Sequence, residues 1–533
     1  MLLDCTLRDG GFVNDWEFGY SSIRSIVSRL DSAGVEIIEV GFIDVKRMYD
    51  KNHSIFPDTQ SIDKTLSGIC INQAKIFAMI DFGTCPEKNI ALRNQSIIDG
   101  IRIIFKKCDI DPAIDFCSKL KDKGYKVSAN PVSLTSYSDK EILCLLDKIN
   151  DLMPFALSIV DTYGLMLNED ILHFIDLVDR NLDSGILLGY HSHNNQQMAY
   201  ANCCTILDRR NRHKIIVDAS LFGMGKGAGN ANIELIASYA NKVHGGEYKI
   251  EQLLDCIYTD IMRIHMKNPW GYNLQNYMSA INDVHPNYIK FLLEKNTLSI
   301  QGIDHIVERI PQERKLVFSQ EFIENLYTEY QANSINDISV YTELKTILLD
   351  SNILLIFPGS SIKSHEADIK EYIRKNNPKI IAINFIPLDI ATDFVFVGNK
   401  RRYDRLLDSY HLKEVPPRII ATSNILESQV PITFKLNYES LLIQKQRTQD
   451  SSSILCINFL KKLGVKKIVI AGMDGFSHND EDSFAEPFMD MYISSDTIDH
   501  NNAEMMKYMI SMREHMLFNF ITPSIFEEGG CQR

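Results

Sequence analysis

The chain has 533 residues, enough for about two to four domains at roughly 150 residues each. Its 56 basic against 69 acidic side chains leave a net charge of −13, which argues against nucleic-acid and anionic-membrane binding, because both need a basic surface. A hydrophobic content of 45% excludes wholesale disorder, and 11 cysteines without a Cys-x-x-Cys pair suit a reduced, cytoplasmic protein.

Met1-Leu2-Leu3-Asp4 shows no signal-peptide pattern, and no apolar run approaches the ~20 residues of a membrane span. Short β-rich runs then alternate with longer amphipathic stretches. The predicted strands are Leu2–Thr6, Val35–Val40, Lys75–Ile80, Gly100–Phe105, Tyr125–Asn130, Ala156–Val160, Ile186–Tyr190 and Ile215–Ala219. Between them, Ser21–Ala33 places Ile23, Ile26, Val27 and Leu30 on one helical face and stops at Gly34. Asp139–Ile149 does the same with Ile142, Leu143, Leu145 and Leu146, behind Ser138 as N-cap. This alternation fits a (β/α)8 barrel, with a doubly wound sheet as the competing reading. Asp9, Glu39, Asn130, Asp161, His191 and His193 all fall at or just past predicted strand ends, where a barrel collects its active site.

His191-Ser192-His193 near a strand end lets two imidazoles face the same side, because side chains alternate with period two. With the Asp9 carboxylate they make a set that leaves open positions on a divalent metal. Alone, His-x-His is as well explained by a polar loop, and Arg8-Asp9 by an exposed ion pair.

Thr6-Leu7-Arg8-Asp9-Gly10, His191-Ser192-His193-Asn194 and Gly223-Met224-Gly225-Lys226-Gly227-Ala228-Gly229-Asn230 together resemble the metal-dependent pyruvate aldolase and lyase superfamily. Its members include hydroxy-oxovalerate aldolase, the type this chain most resembles, hydroxymethylglutaryl-CoA lyase and isopropylmalate synthase. The resemblance covers roughly residues 1–245. It implies Asp9, His191 and His193 as metal ligands, with Asn230 as a further ligand or neighbour of the metal, and Arg8 as the group that stabilises an enolate. It implies Mn2+ or Mg2+ first and Zn2+ as the alternative. Asp161 and Tyr288 match catalytic or pocket positions, and Glu39, Asn130, Thr162 and Gly225 are expected to line the substrate. The implied reaction makes or breaks a carbon–carbon bond beta to the ketone of a 2-oxo acid, with an aldehyde as partner. Two alternatives stand beside it: a Claisen-type acyl-CoA condensing enzyme, and a metal-binding barrel without turnover that serves as a scaffold. Phe12 occupies the place where the related aldolases carry a catalytic histidine, which leaves Tyr163, Asp15 and His53 as candidates to carry the proton.

A helical stretch follows from Val284 to about Tyr330, and then a second strand–helix series begins. Its predicted strands are Ile353–Phe357, Lys379–Ile383, Phe394–Val397, Arg418–Ala421 and Lys467–Ala471. The turn Pro358-Gly359-Ser360-Ser361 reads equally as an anion-holding strand-to-helix loop or as a tight turn. This half loosely resembles Rossmann-like domains of the bacterial sialyltransferase type, which implies a nucleotide-sugar ligand. The tail from Phe520 through Gly529-Gly530-Cys531 carries no readable signal. The expected organisation is a (β/α)8 TIM barrel over 1–265, a helical extension over 266–335 and an accessory Rossmann-like α/β domain over 345–533. A homo-oligomer completes the expectations.

Overall fold

Eight of the apolar runs close on one another as a parallel barrel in the computed structural model, which describes residues 1–315, 318–426, 430–443, 450–478, 484–485 and 495–527. The strands are β1 (Leu2–Asp4), β2 (Ile37–Ile43), a short β3 (Ile55–Phe56), β4 (Lys75–Asp81), β5 (Gly100–Phe105), β6 (Lys126–Pro131), β7 (Ala156–Asp161), β8 (Leu187–Ser192) and β9 (Ile215–Ala219). Their order runs β1-β9-β8-β7-β6-β5-β4-β2-β3, and β1 also pairs with β2, so the sheet has no open seam and the doubly wound reading is excluded. Every pair is parallel, which buries both faces and explains why the strands read as continuous apolar runs.

The helices Tyr20–Ala33 and Asp139–Leu152 form where the spacing predicts them. The first ends at Gly34 with φ +89°, and the second starts in a reciprocal capping box between Ser138 and Glu141. The pair β3 was not expected. It lies between the predicted strands Val35–Val40 and Lys75–Ile80 and extends β2 past the end of β1, pairing Phe42 with Ile55. This close approach is possible because β2 breaks register between Glu39 and Phe42 and because Gly41, at φ +146°, has no side chain to strike the Ser54 carbonyl. Ser54 Oγ then donates to Leu7 O at 2.6 Å, tying this extension to the turn that carries Arg8 and Asp9.

The chain divides into two compact units, Met1–Pro286 and Asn287–Arg533, so the stretch expected as one helical extension, 266–335, is shared between them. The second unit holds β10 (Ile353–Ile356), β11 (Lys379–Ile383), β12 (Phe394–Val397), β13 (Arg418–Thr422), β14 (Ile432–Leu436), β15 (Lys467–Ala471) and β16 (Leu517–Phe520). They form one parallel sheet in the order β14-β13-β12-β11-β10-β15-β16. Alternate residues feed opposite faces: Ile353, Leu355, Ile381 and Phe396 join one apolar cluster, and Leu354, Ile356, Ala382 and Val397 join the other. The sequence reading found the five inner strands but not β14 or β16, the two edges. The end of the chain, 528–533, which includes Gly529, Gly530 and Cys531, lies outside the described residues.

Gly41→Ala should cost on the order of 3 kcal/mol of stability, the range of substitutions that force a side chain into backbone. Thermal melting monitored by circular dichroism checks this; an unchanged midpoint would mean the strand extension is not held by that contact.

Candidate metal centre

The turn after β1 brings Asp9 over the barrel axis. The Arg8 and Asp9 amides both bond back to the Cys5 carbonyl, at 3.1 and 2.8 Å. His191 lies on β8 and His193 just beyond it, and the rings stand edge to face with centroids 5.1 Å apart. One donor atom from each of Asp9, His191 and His193 lies within 4.8 Å of the others, and all three side chains are buried. Asp9 Oδ2 also accepts from Asn230 Nδ2 at 2.9 Å and from the Lys226 amide at 3.0 Å.

Among the described residues, several buried polar atoms around this cluster have no hydrogen-bond partner, including His193 Nδ1, Asn230 Oδ1, Arg8 Nη2 and Glu39 Oε1. Orphaned atoms of this kind are costly in a folded interior, and they gather here beside one carboxylate and two imidazoles. This donor set of carboxylate, imidazole and amide oxygen fits a divalent cation. Burial pushes His193 down to about 4, against the opposing pull of Asp9, so its ring is neutral near pH 7 and able to bind a metal. Burial would raise the Asp9 carboxyl, but Arg8 and the two histidines outweigh it and hold it well below the usual range.

Behind the cluster runs a chain of alternating charge. Arg8 Nη1 reaches Asp9 at 2.6 Å and Arg8 Nε reaches Glu39 at 2.7 Å. Arg102 Nη1 takes the same Glu39 oxygen at 3.2 Å and its Nη2 takes Asp218 at 2.5 Å. Asp218 in turn lies 3.0 Å from His191 Nδ1. The path thus leads from one candidate ligand to another. Burial raises Asp218 but Arg102 outweighs it, so the carboxyl stays low and charged against the imidazole. Arg102 and Asp218 are missing from the sequence reading. The signal was a charged residue inside each of two otherwise apolar runs, Gly100–Phe105 and Ile215–Ala219.

The remaining predicted site residues divide. Asn130, oriented with its amide oxygen toward Arg102, accepts from Nη2 at 2.9 Å. Gly225 packs against the Asp9 and Asn230 side chains, where a Cβ would collide with both. Asp161 spends both carboxylate oxygens on the Leu165 and Met166 amides, at 2.9 and 3.1 Å, while burial pushes it up to about 6. Thr162 Oγ1 accepts from the Ser133 amide at 2.7 Å and so joins two loops. Tyr288 belongs to the second unit, where it is fully buried and its hydroxyl donates to Arg314 O at 3.2 Å.

Phe12 is 46% exposed and packs edge to face on Trp16 and Phe42. Lys226 Nζ stands 5.5 Å over its ring, so a cation occupies the space beside Phe12, a residue the sequence reading did not single out. Of the candidate proton carriers, Asp15 is held by Arg47 at 2.7 Å, His53 sits 3.1 Å from Asp50, and burial raises Tyr163 to about 12.

A parallel barrel with a carboxylate and two imidazoles gathered past its strand ends is the architecture of a metal-dependent barrel enzyme. Residues 104–263 match the model of the HMGL-like family. Among curated relatives, the oxaloacetate decarboxylase of Mycobacterium tuberculosis is 24% identical over 276 residues, 51% of this chain and 79% of that protein. The 4-hydroxy-2-oxovalerate aldolase of Geobacillus genomosp. 3 is 24% identical over 268 residues, 48% of this chain and 77% of that one. The barrel's homologues are therefore pyruvate-class aldolases and lyases. Among solved structures, the N-terminal domain of a Bacteroides vulgatus protein is 26% identical with TM-score 0.48, covering 57% of this chain and 99% of its own. An HMG-CoA lyase of Bacillus subtilis is 14% identical with TM-score 0.41, covering 52% and 96%.

Asp218→Asn should weaken Mn2+ binding about 10- to 100-fold, the usual cost of removing the partner that orients a ligand histidine. Calorimetric titration of Mn2+ into the folded variant is the check, and an unaltered affinity would remove Asp218 from the site.

Proposed function

We propose that the barrel is a divalent-metal-dependent aldolase or lyase acting on a 2-oxo acid. The observation that carries this is the coincidence of the Asp9, His191 and His193 cluster with a buried arginine that still has an unused donor. Asp9, His191 and His193 would hold the ion, with Asn230 Oδ1, which has no hydrogen-bond partner among the described residues, as a further oxygen for it. Mn2+ or Mg2+ suits the mixed oxygen and nitrogen set, with Zn2+ as the alternative. When bound, such an ion acts as a Lewis acid on the keto oxygen of the substrate.

The chain's own residues do the rest. Glu39 and Asp9 clamp the Arg8 guanidinium from two sides, and although burial works against its charge, these carboxylates keep it protonated. Its free Nη2 is a fixed donor for the oxygen on which charge develops when the bond beta to the ketone breaks. Gly225 leaves room for the loop to lie against Asp9, and Asn130 braces Arg102. In this reading Asp161 and Thr162 shape the loops around the substrate rather than move its protons. With Phe12 at the usual histidine position, the proton comes from another group or from solvent.

The condensing-enzyme and scaffold readings are separated from this one by a single measurement. Pyruvate incubated with the metal-loaded protein in D2O should exchange its methyl hydrogens without acetyl-CoA. No exchange above the free metal would favour a scaffold, and exchange only of acetyl-CoA hydrogens would favour condensation. We further propose a cytoplasmic setting, and separate roles for a barrel, a helical region and an accessory α/β domain. A nucleotide-sugar is the expected ligand of that last domain.

Two substitutions test the assignments. His191→Ala should lose most bound metal while staying folded. Arg8→Lys should keep the metal but lower the exchange rate about 10²- to 10³-fold, because lysine keeps the charge without the planar fork. Retained metal in the first or an undiminished rate in the second would remove that residue from its role.

A further inference from the structure

The second unit has its own cavity, of about 200 Å3, and nothing in the barrel chemistry uses it. It opens past the carboxyl ends of four neighbouring strands, against Phe357 to Gly359 after β10, Asn384 after β11, Asn399 after β12 and Gly472 to Phe476 after β15. The chain steps outward in one direction from β10 to β14, then returns to the other side of β10 with β15 and β16. The cavity therefore sits where the winding of the sheet reverses, the place where parallel α/β sheets leave a crevice for a ligand.

The turn after β10 is not what could hold an anion there. Its Ser361 amide and hydroxyl are already taken by Asp474, the amide at 2.8 Å, and Gly359 donates to Gly472 O at 2.9 Å. The helix that follows is only Ser361–Ser364. Positive potential comes from the opposite wall instead. The helix Ser452–Leu463 begins there with Ser451, Ser452 and Ser453 on the lining, and its N-cap Ser451 makes no side-chain capping bond. The helix Lys400–Tyr410 also starts at the lining, with Asn399 as N-cap and Arg402, a buried side chain, in its first turn. Two helix N-termini present partial positive charge to one space.

Lys295 supplies the independent mark of a ligand. Its side chain is only 6% exposed and lines the cavity, yet among the described residues its ammonium has no hydrogen-bond partner. The nearest carboxylate, Glu324, is 3.5 Å away, and the rings of Phe291 and Tyr327 lie 5.1 and 5.0 Å from the charge. A strongly hydrated ammonium left this way in a protein interior is expensive unless a ligand completes it. Of the acidic groups on the lining, Asp474 is taken by Ser361 and Glu294 lies 3.9 Å from Lys290, while the buried Asp450 accepts from the Tyr327 hydroxyl and also feels the Lys295 charge. Asn384 adds a buried, unpartnered Oδ1 on a residue held at φ +68°, an acceptor for a ligand hydroxyl or amine. Phe357, Phe476, Phe484 and Phe526 give the remaining wall an aromatic character.

We propose that this cavity binds a phosphorylated organic ligand, its phosphate held by Lys295, Arg402 and the first turn at Ser451–Ser453, and its organic part lying on the phenylalanines beside Asn384. The proposal rests on this cavity alone and stands whether or not the barrel turns over. It narrows the nucleotide-sugar expectation to the part of such a ligand that the cavity can recognise, and it admits a nucleotide or a sugar phosphate equally.

The test is calorimetric titration of the full chain with a nucleoside 5′-diphosphate (UDP), a sugar phosphate (glucose 6-phosphate), pyrophosphate and malonate. Saturable binding of UDP or glucose 6-phosphate, displaced by pyrophosphate, is expected, and which of the two binds identifies the organic part. Lys295→Met should weaken that binding about tenfold or more, as expected for loss of a charge-assisted bond. It should leave the barrel's Mn2+ affinity unchanged, and methionine keeps the apolar stem beside Phe291 and Tyr327, so the fold should hold. Should that variant fail to fold, Arg402→Lys, which keeps the charge and loses the fork, should weaken binding in the same direction. Absence of binding by UDP and glucose 6-phosphate alike would overturn the proposal. So would malonate binding as tightly as the organic phosphates, or an affinity that Lys295→Met leaves unaltered. Normal Mn2+ binding alongside any of these would locate the failure in the second unit.

Discussion

The candidate metal centre at the barrel mouth depends on five buried charges arranged so that each touches at least one of opposite sign. Asp9, Arg8, Glu39, Arg102 and Asp218 alternate in sign along a path that ends on His191. Removing ions from water costs several kcal/mol each even after relaxation, and only close, well-aligned partners return it. Here each guanidinium touches two carboxylates, and the Glu39 carboxylate is shared by both guanidinia. The arrangement is poor as a source of stability but good as a source of position. It fixes the direction of Arg8 and the orientation of the His191 ring before any ligand arrives, which is the preorganisation an electrostatic site needs.

The same logic explains why the barrel was legible from the sequence. Strands with both faces covered must be apolar throughout, so runs such as Lys75–Asp81 and Ala156–Asp161 stood out without alternation. What escaped had a weaker pattern for a physical reason. The pair Ile55–Phe56 is too short to register, and it exists only because Gly41 lets another strand approach. At the edge of the second sheet, Leu517–Phe520 alternates between exposed and half-buried, which blurs it into its surroundings.

Of the residues the structure gathers at the site, Arg8-Asp9, His191 to His193, Gly225 and Asn230 stood in compact motifs, and Glu39 and Asn130 stood out as polar residues at strand ends. Arg102 and Asp218 are single charges on separate strands, and only the closed barrel shows that they meet. Tyr288 rested on a short likeness, and the structure buries it among the helices of the second unit. Phe12 and Lys226 are adjacent only in space, so the aromatic ring and its neighbouring cation could not be read as one feature. In the second unit, the Gly-Ser turn drew attention by its composition, whereas the buried ammonium of Lys295 lies far from it in sequence.

The closed charge path also bears on the order in which the chain can fold. Arg102 and Asp218 are separated by 116 residues, and Asp9 and Asn230 by 221. No strand β1 to β8 can give Arg102 its second carboxylate, so a partly synthesised barrel holds an under-compensated guanidinium at its centre. Contacts this distant along the chain form late, after much loop entropy has been lost. Until β9 docks between β1 and β8, water must reach the interior to solvate that charge, and the apolar layers around it cannot fully dry. The step that seals the barrel is therefore also the step that completes the candidate metal site, so an incomplete chain should be unable to trap a metal prematurely.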